Sequence, residues 1–367
     1  MDWMIVGMLV GGFILLVVGA EFLVRGASKV AAIFGISPLV IGLTVVAYGT
    51  STPELAVSIQ AGLAGAADIA VANVVGSNIF NVLFILGICA MIQPLIVAQQ
   101  LVLLDVPLMM GLSVLTILFA LDGRIGMVDG IIFVVGLIIY NVWAIRKSRQ
   151  ESAAVKAEYA QEYGEQTAPP LTAVEIGKNA ALILGGLAIL VVGARWLVNG
   201  SVALAQFLGV SDMIIGLTIV AAGTSLPEVA TSVVATLRNE RDIAIGNVVG
   251  SNIYNILAIL GIAGIATPGG LVVAPTMLQF DLLVMTAVAL ACLPVFFSGY
   301  SIARWEGAVF FVGYLAYTAY LVLDAIQHGA LPMFSNTMLF LLLPMVVLTL
   351  IVVSIRSLRQ QAKPQAA

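Results

Sequence analysis

Charged residues are scarce in this chain. Asp, Glu, Lys and Arg together make up 9% of 367 positions, against 61% hydrophobic residues. Too little polar surface remains to cover a water-soluble globule of that size, so the composition is that of a polytopic membrane protein. Histidine occurs once, as His328 between apolar runs, which removes the parts needed for His-based zinc sites and Ser-His-Asp triads. The two cysteines, Cys89 and Cys292, lie inside apolar runs and read as small buried side chains, with no disulfide framework and no Cys-based metal site. No basic segment precedes the apolar run that begins near Met1, and no small-residue cleavage site follows it. That run is therefore read as a first spanning helix kept in the mature protein.

What the chain has in abundance is helix-length apolar sequence. A hydrocarbon core about 30 Å thick needs roughly 20 residues of helix. On that basis spans are expected near 3–24, 37–61, 68–92, 103–121, 126–146, 175–198, 211–236, 242–265, 279–298, 305–325 and 336–356. The expected fold is all-α and polytopic, with two inverted five-helix repeats (ten helices) and an eleventh, C-terminal helix. Its divisions are a first repeat over 1–146, a linker over 147–174, a second repeat over 175–325, and an extra helix and tail over 326–367.

The duplication is visible residue by residue. Gly49-Thr50-Ser51-Thr52-Pro53-Glu54 returns 174 positions later as Gly223-Thr224-Ser225-Leu226-Pro227-Glu228, and residues 36–88 match 210–262 at 32 of 53 positions. Apolar bias alone does not match Asn73, Gly76, Ser77, Asn78 and Asn81 with Asn247, Gly250, Ser251, Asn252 and Asn255. Alternating the spans puts thirteen basic residues on one face and only Arg124 and Arg195 on the other. By the positive-inside rule the linker and C-terminus are expected in the cytoplasm and the N-terminus outside, in a multi-pass plasma (inner) membrane protein. Five helices per repeat is an odd number, so the second copy enters from the opposite side and the matching polar stretches meet near the midplane.

Those stretches carry the chemistry. A carboxylate at a helix centre costs about 2.5–3.5 kcal/mol on insertion scales, and no Lys or Arg lies at membrane depth in the repeat helices to pair with Glu54 or Glu228. Their counter-charge must be something bound, either metal cations or protons. Pro53 and Pro227 lack the N–H that would bond the carbonyls of Gly49 and Gly223, so each helix is expected to break there and to free carbonyls from Ala47 to Gly49 and from Ala221 to Gly223. Thr50 with Glu54, and Thr224 with Glu228, are four apart and share a face. Asn73, Ser77 and Asn81 form a second row, mirrored by Asn247, Ser251 and Asn255. Ser77, Asn81, Ser251 and Asn255 read as ligands, whereas Gly76, Asn78, Gly250 and Asn252 read at least as readily as helix packing. An all-oxygen set suits hard cations such as Ca²⁺ and Na⁺. Acids at Asp105 and Asp281 are expected to cap equivalent helices, and Glu21 to pair with Arg25.

The paired Gly-Thr-Ser-x-Pro-Glu motifs, each followed by Asn-Val-Val-Gly-Ser-Asn-Ile-(Phe/Tyr)-Asn, resemble the two alpha repeats of the calcium/cation antiporter superfamily, in its prokaryotic sodium/calcium exchanger branch. The resemblance implies metal ligands at Thr50, Ser51, Glu54, Ser77 and Asn81 and at Thr224, Ser225, Glu228, Ser251 and Asn255, with backbone carbonyls at Ala47 and Ala221. It also implies that the first and sixth helices, Met4 to Val24 and Lys178 to Leu197, slide across this core to give alternating access. Some relatives carry an aspartate where Asn255 stands, which makes potassium co-transport unexpected here. The expected activity is secondary active Na⁺/Ca²⁺ antiport with no cofactor and no enzymatic step. Ca²⁺ and Na⁺ are the substrates, the lipid bilayer is the surroundings, nucleic acid plays no part, and a monomer suffices. A Ca²⁺/H⁺ antiporter on the same fold is the alternative. A cation channel and an intramembrane enzyme are weaker readings, since inverted repeats suit alternating closure and no nucleophile-base pair accompanies the glutamates.

Overall fold

A computed structural model describes residues 3–150, 173–342, 344, 345 and 348. The first repeat comprises α1 (Trp3–Phe34), α2 (Pro38–Thr50), α3 (Thr52–Leu63), α4 (Ala67–Ile92), α5 (Leu101–Ala120) and α6 (Met127–Ser148). The second comprises α7 (Val174–Phe207), α8 (212–223), α9 (Leu226–Leu237), α10 (Arg241–Ala266), α11 (Met277–Phe297) and α12 (Arg304–Ala325). Eight of these are long and apolar enough to cross a membrane unbroken, and α2 with α3 makes a ninth span bent by 44° at Ser51. Their repeat counterparts α8 and α9 are interrupted at the matching Thr224–Ser225 step. A helix α13 follows over 331–342.

Both α1 and α7 run well past the spans expected for them, to Phe34 and Phe207. Hydropathy falls where Arg25 and Lys29 enter, but a backbone needs no apolar side chains to stay helical once it has left the hydrocarbon. The helix expected at 336–356 begins earlier, at Leu331, and most of its second half lies outside the described residues. So does 151–172, most of the expected linker.

Helices α1 and α7 cross in close contact along their length. A Cβ on Gly19 would lie 2.8 Å from the Gly186 carbonyl oxygen, so glycine is what lets these two backbones touch. The remaining spans enclose α4 and α10, whose side chains form the centre of the main apolar core. Two short antiparallel ladders stitch the repeats together. At one end β1 (Leu95–Ile96) pairs with β4 (Ser301–Ile302), with Leu95 opposite Ile302. At the other end β2 (Arg124–Ile125) pairs with β3 (Leu271–Val272), with Ile125 opposite Leu271.

Asp105 and Asp281 do not cap helices. Each lies one turn inside its span and makes no side-chain cap. Asp105 accepts from the Tyr140 hydroxyl (3.1 Å) and from Gln100 (3.2 Å), and Asp281 accepts from Tyr317 (2.7 Å). These acids brace α5 on α6 and α11 on α12, which leaves a buried carboxylate with the hydrogen bonds it needs.

Candidate functional site

The site is assembled by the two helix breaks. Proline at position 53 or 227 cannot donate to the carbonyl four residues back, and the serine two residues before it leaves helical geometry, with φ −82°, ψ 6° at Ser51 and φ −88°, ψ 9° at Ser225. Each break starts a new helix with a glutamate in its first turn, Glu54 on α3 and Glu228 on α9. A negative charge is favoured there by the exposed N–H groups and the helix dipole. Both glutamates are 1% exposed, so neither carboxylate obtains its partners from water.

Each repeat holds the other's acid. The Ser51 hydroxyl donates to Glu228 Oε1 at 3.0 Å, and the Ser225 hydroxyl donates to Glu54 Oε1 at 2.9 Å. The Ser225 hydroxyl also lies 3.1 Å from that of Ser77. Thr50 donates to Asn247 Oδ1 at 3.1 Å and Thr224 to Asn73 Oδ1 at 3.3 Å, again across the repeats. The amide nitrogens of Asn73 and Asn247 reach back within their own repeats, to the Glu54 carbonyl and Ser58 and to the Glu228 carbonyl and Ser232. The threonines, asparagines and serines thus lock the break of one repeat to the fourth helix of the other.

Once these bonds are drawn, specific oxygens are left over. Glu54 Oε2, Glu228 Oε2, Asn81 Oδ1, Asn255 Oδ1 and Ser251 Oγ are buried and have no hydrogen-bond partner. Among the described residues neither site glutamate forms an ion pair with a basic side chain; the pairs at Glu21 lie elsewhere. Buried polar atoms are rarely left without a partner, and oxygen acceptors that include carboxylates are the ligand type that hard cations take. Asn81 and Asn255 each begin a π-helical segment, Asn81–Leu86 and Asn255–Leu260, a distortion common at functional positions.

All twelve residues expected at the site fall on these segments, with one correction. The Ala47 carbonyl is not freed by the break. It accepts the Ser51 N–H at 3.0 Å, with the Thr50 hydroxyl that donates to Asn247 only 3.3 Å away, because the helix stays regular through Thr50 and only Gly49 loses its donor to Pro53. Ala47 is fully buried, whereas its counterpart Ala221 is exposed.

Comparison with known proteins gives the family. A family model for the sodium/calcium exchanger protein matches residues 4–146 and 178–323. The chain belongs to the sodium/calcium exchanger family. It is 39% identical to the putative antiporter CaxA of Alkalimonas amylolytica over 77% of this chain and 86% of that protein. It is 35% identical to the inner membrane protein YrbG of Escherichia coli over 71% of this chain and 80% of that one. Among solved structures it resembles the sodium-calcium exchanger NCX_Mj soaked with 2.5 mM Na⁺ and 0.1 mM Ca²⁺, with a TM-score of 0.73 and 31% identity over 87% of this chain and 99% of the other. As a member of this exchanger family the chain is a multi-pass membrane transporter of cations and not an enzyme.

Several partners in this exchanger's site were not singled out from sequence. Ser58 and Ser232 are identical at the repeat offset, a signal that was present but indistinct among small residues. Asn78 and Asn252, read as packing residues, hydrogen-bond to Asn255 and Asn81. Met109 and Met285 also touch this group, and no polar pattern marks them.

Proposed function

We propose that this exchanger couples inward movement of Na⁺ to extrusion of Ca²⁺ through one central site that opens to each side in turn. The observation that carries the reading is the pair of buried glutamates, each with one carboxylate oxygen held by a serine of the opposite repeat and the other accepting no hydrogen bond. Two carboxylates surrounded by hydroxyl, amide and carbonyl oxygens balance one Ca²⁺, which takes six to eight oxygen ligands at about 2.3–2.6 Å. The same two charges balance two Na⁺, so the two loads exclude each other. The ligands are Thr50, Ser51, Glu54, Ser77 and Asn81, and Thr224, Ser225, Glu228, Ser251 and Asn255, with the Ala47 carbonyl contributing its second lone pair and the Ala221 carbonyl its equivalent.

The α1–α7 pair moves as one body across this core. Arg25 and Arg238 both pair with Glu21, which ties α1 to the turn after α9 at the end that carries the β1–β4 ladder. The basic residues put that end, the linker and the C-terminus in the cytoplasm of the plasma (inner) membrane, and the N-terminus outside. The reading is tested by equilibrium binding of radiocalcium to the purified protein in detergent. Displacement by Na⁺ with no ternary complex is expected, and Ca²⁺ binding that is indifferent to Na⁺ but abolished by mild acid would assign the exchange to protons.

A further inference from the structure

Four asparagines form a closed bracket behind the site, and two methionines seal its ends. The Asn255 amide donates to Asn78 Oδ1 at 2.9 Å, and the Asn81 amide donates to Asn252 Oδ1 at 3.0 Å. Asn78 Nδ2 in turn donates to the Asn252 backbone carbonyl at 3.4 Å and lies 3.6 Å from Met285 Sδ. Asn252 Nδ2 does the same with the Asn78 carbonyl at 3.4 Å and Met109 Sδ at 3.4 Å. All six residues are at most 3% exposed.

The order of donors and acceptors in this bracket has a consequence for the cation. A carboxamide presents an oxygen at one end and two N–H donors at the other, and its two orientations are nearly the same in shape. A carbonyl oxygen and a thioether sulfur both only accept. They therefore require the NH₂ end of Asn78, which turns its oxygen toward Asn255. That oxygen requires the NH₂ end of Asn255, and the Asn255 oxygen is left on the far side without a partner. The same chain through Asn252 leaves Asn81 Oδ1 free. Reversing either inner amide alone would set donor against donor, and the outer amide could relieve this only by turning its N–H groups toward the ion.

We infer that Asn78 and Asn252, each backed by a methionine sulfur, are positioning residues that fix the Asn255 and Asn81 amides oxygen-first toward the cation and so set the affinity for Ca²⁺. The inference rests on the reading of Asn81 and Asn255 as ligands. It explains why Asn78 and Asn252 are asparagines where any small residue would pack, and it assigns a role to two methionines on α5 and α11, outside the motif helices.

The test uses the full chain in sodium-loaded liposomes, with the KM for Ca²⁺ and the maximal uptake rate measured separately. Asn78→Ala is expected to raise the KM about tenfold, as loss of a residue supporting a metal ligand does, with a smaller change in maximal rate. The decisive arm repeats Asn78→Ala in an Asn255→Asp background. A carboxylate has two equivalent oxygens and needs no orienting, and one of them would face the Asn78 oxygen acceptor to acceptor, so there the same substitution should not raise the KM. An equal rise in both backgrounds, or no rise in either, would overturn the inference. If Asn78→Ala does not fold, Met285→Leu conserves the volume and removes only the acceptor. It carries the same comparison, with an expected rise of about two- to threefold in the unsubstituted background alone. Glu54→Gln run alongside separates the two claims. Unchanged uptake in that variant would remove the site itself, whereas lost uptake with an unaltered KM in Asn78→Ala and Met285→Leu would remove only the bracket.

Discussion

The centre of the molecule and its two ends obey different rules. At the centre the repeats mirror each other in their main hydrogen bonds: Ser51 on Glu228 answers Ser225 on Glu54, and Thr50 on Asn247 answers Thr224 on Asn73, the exception being the Ser225–Ser77 contact, which has no counterpart at Ser251. Toward the ends the mirror fails. At the β1–β4 end α2 packs tightly on α10, and a Cβ on Gly250 would sit 2.6 Å from the Leu43 carbonyl oxygen. Gly76, the matching glycine on α4, has nothing within 4 Å of that position, and neither has Gly216 on α8, although its counterpart Gly42 meets Ile243 at 2.9 Å. Glu21 pairs with both Arg25 and Arg238 at the tightly packed end, whereas the equivalent positions are Arg195, Asn199 and Ala64. On the proposed mechanism a symmetric centre has no preference for either side, and the difference in packing between the ends is what would decide which side the site faces; here the tightly packed end is the one that carries the β1–β4 ladder.

The strongest way to break this comparison is at the centre. Glu54→Gln and Glu228→Gln should each reduce Ca²⁺ transport by more than about a hundredfold, beyond the range typical of a supporting residue, while the protein still elutes as a folded species. The two variants should behave alike. A large loss in one and near-normal exchange in the other would show that the symmetry of hydrogen bonds is not a symmetry of function.

Next in size is the glycine pair. Gly250→Ala should lower stability by about 1–3 kcal/mol, because the added methyl meets backbone. Gly76→Ala should leave the melting temperature nearly unchanged, since space is open there. It should nonetheless slow exchange about tenfold, because closing that end must recreate the α2–α10 contact between α8 and α4. Wild-type exchange in Gly76→Ala would contradict a mirrored second state.

Asn255→Asp adds a third acid beside the two glutamates. It should shift the balance between Na⁺ and Ca²⁺ and introduce a pH dependence of uptake, since protons then compete with the ions for an added carboxylate. An unchanged ion preference and pH profile would remove this position from the ligand set. The smallest effect is expected at the Glu21 ion pairs. Their side chains are partly exposed, and such ion pairs contribute about 0.2–1 kcal/mol, so Arg238→Ala should change the population with that end closed by at most about fivefold. Hydrogen exchange along α1 reads that population, and protection identical to that of the unsubstituted protein would show that packing alone closes this end.

The parts legible in the sequence are those that repetition and membrane cost make conspicuous. Glu54 and Glu228 stand out because an acid in apolar sequence has few structural explanations, and Pro53 and Pro227 mark the breaks because a missing N–H acts locally. The partners of those acids are harder to read. That Ser51 reaches Glu228 and not the neighbouring Glu54 depends on how two repeats dock, which no spacing within one repeat encodes. Asp105 and Asp281 look like helix caps until Tyr140 and Tyr317 arrive from the next span. Arg238 is far from Glu21 along the chain, so only the local Arg25 partner was visible. Which end is tightly packed was not visible at all, because two copies of nearly the same motif carry no mark of which one is in contact.

The most direct test of the central claim is radiocalcium uptake by the purified protein in sodium-loaded liposomes diluted into sodium-free buffer, with choline or potassium outside and a pH gradient applied separately. Uptake that requires internal Na⁺, is insensitive to the pH gradient and disappears in Glu54→Gln is the predicted result. Uptake driven by the pH gradient in the absence of Na⁺ would contradict it, and would make Glu54 and Glu228 proton carriers.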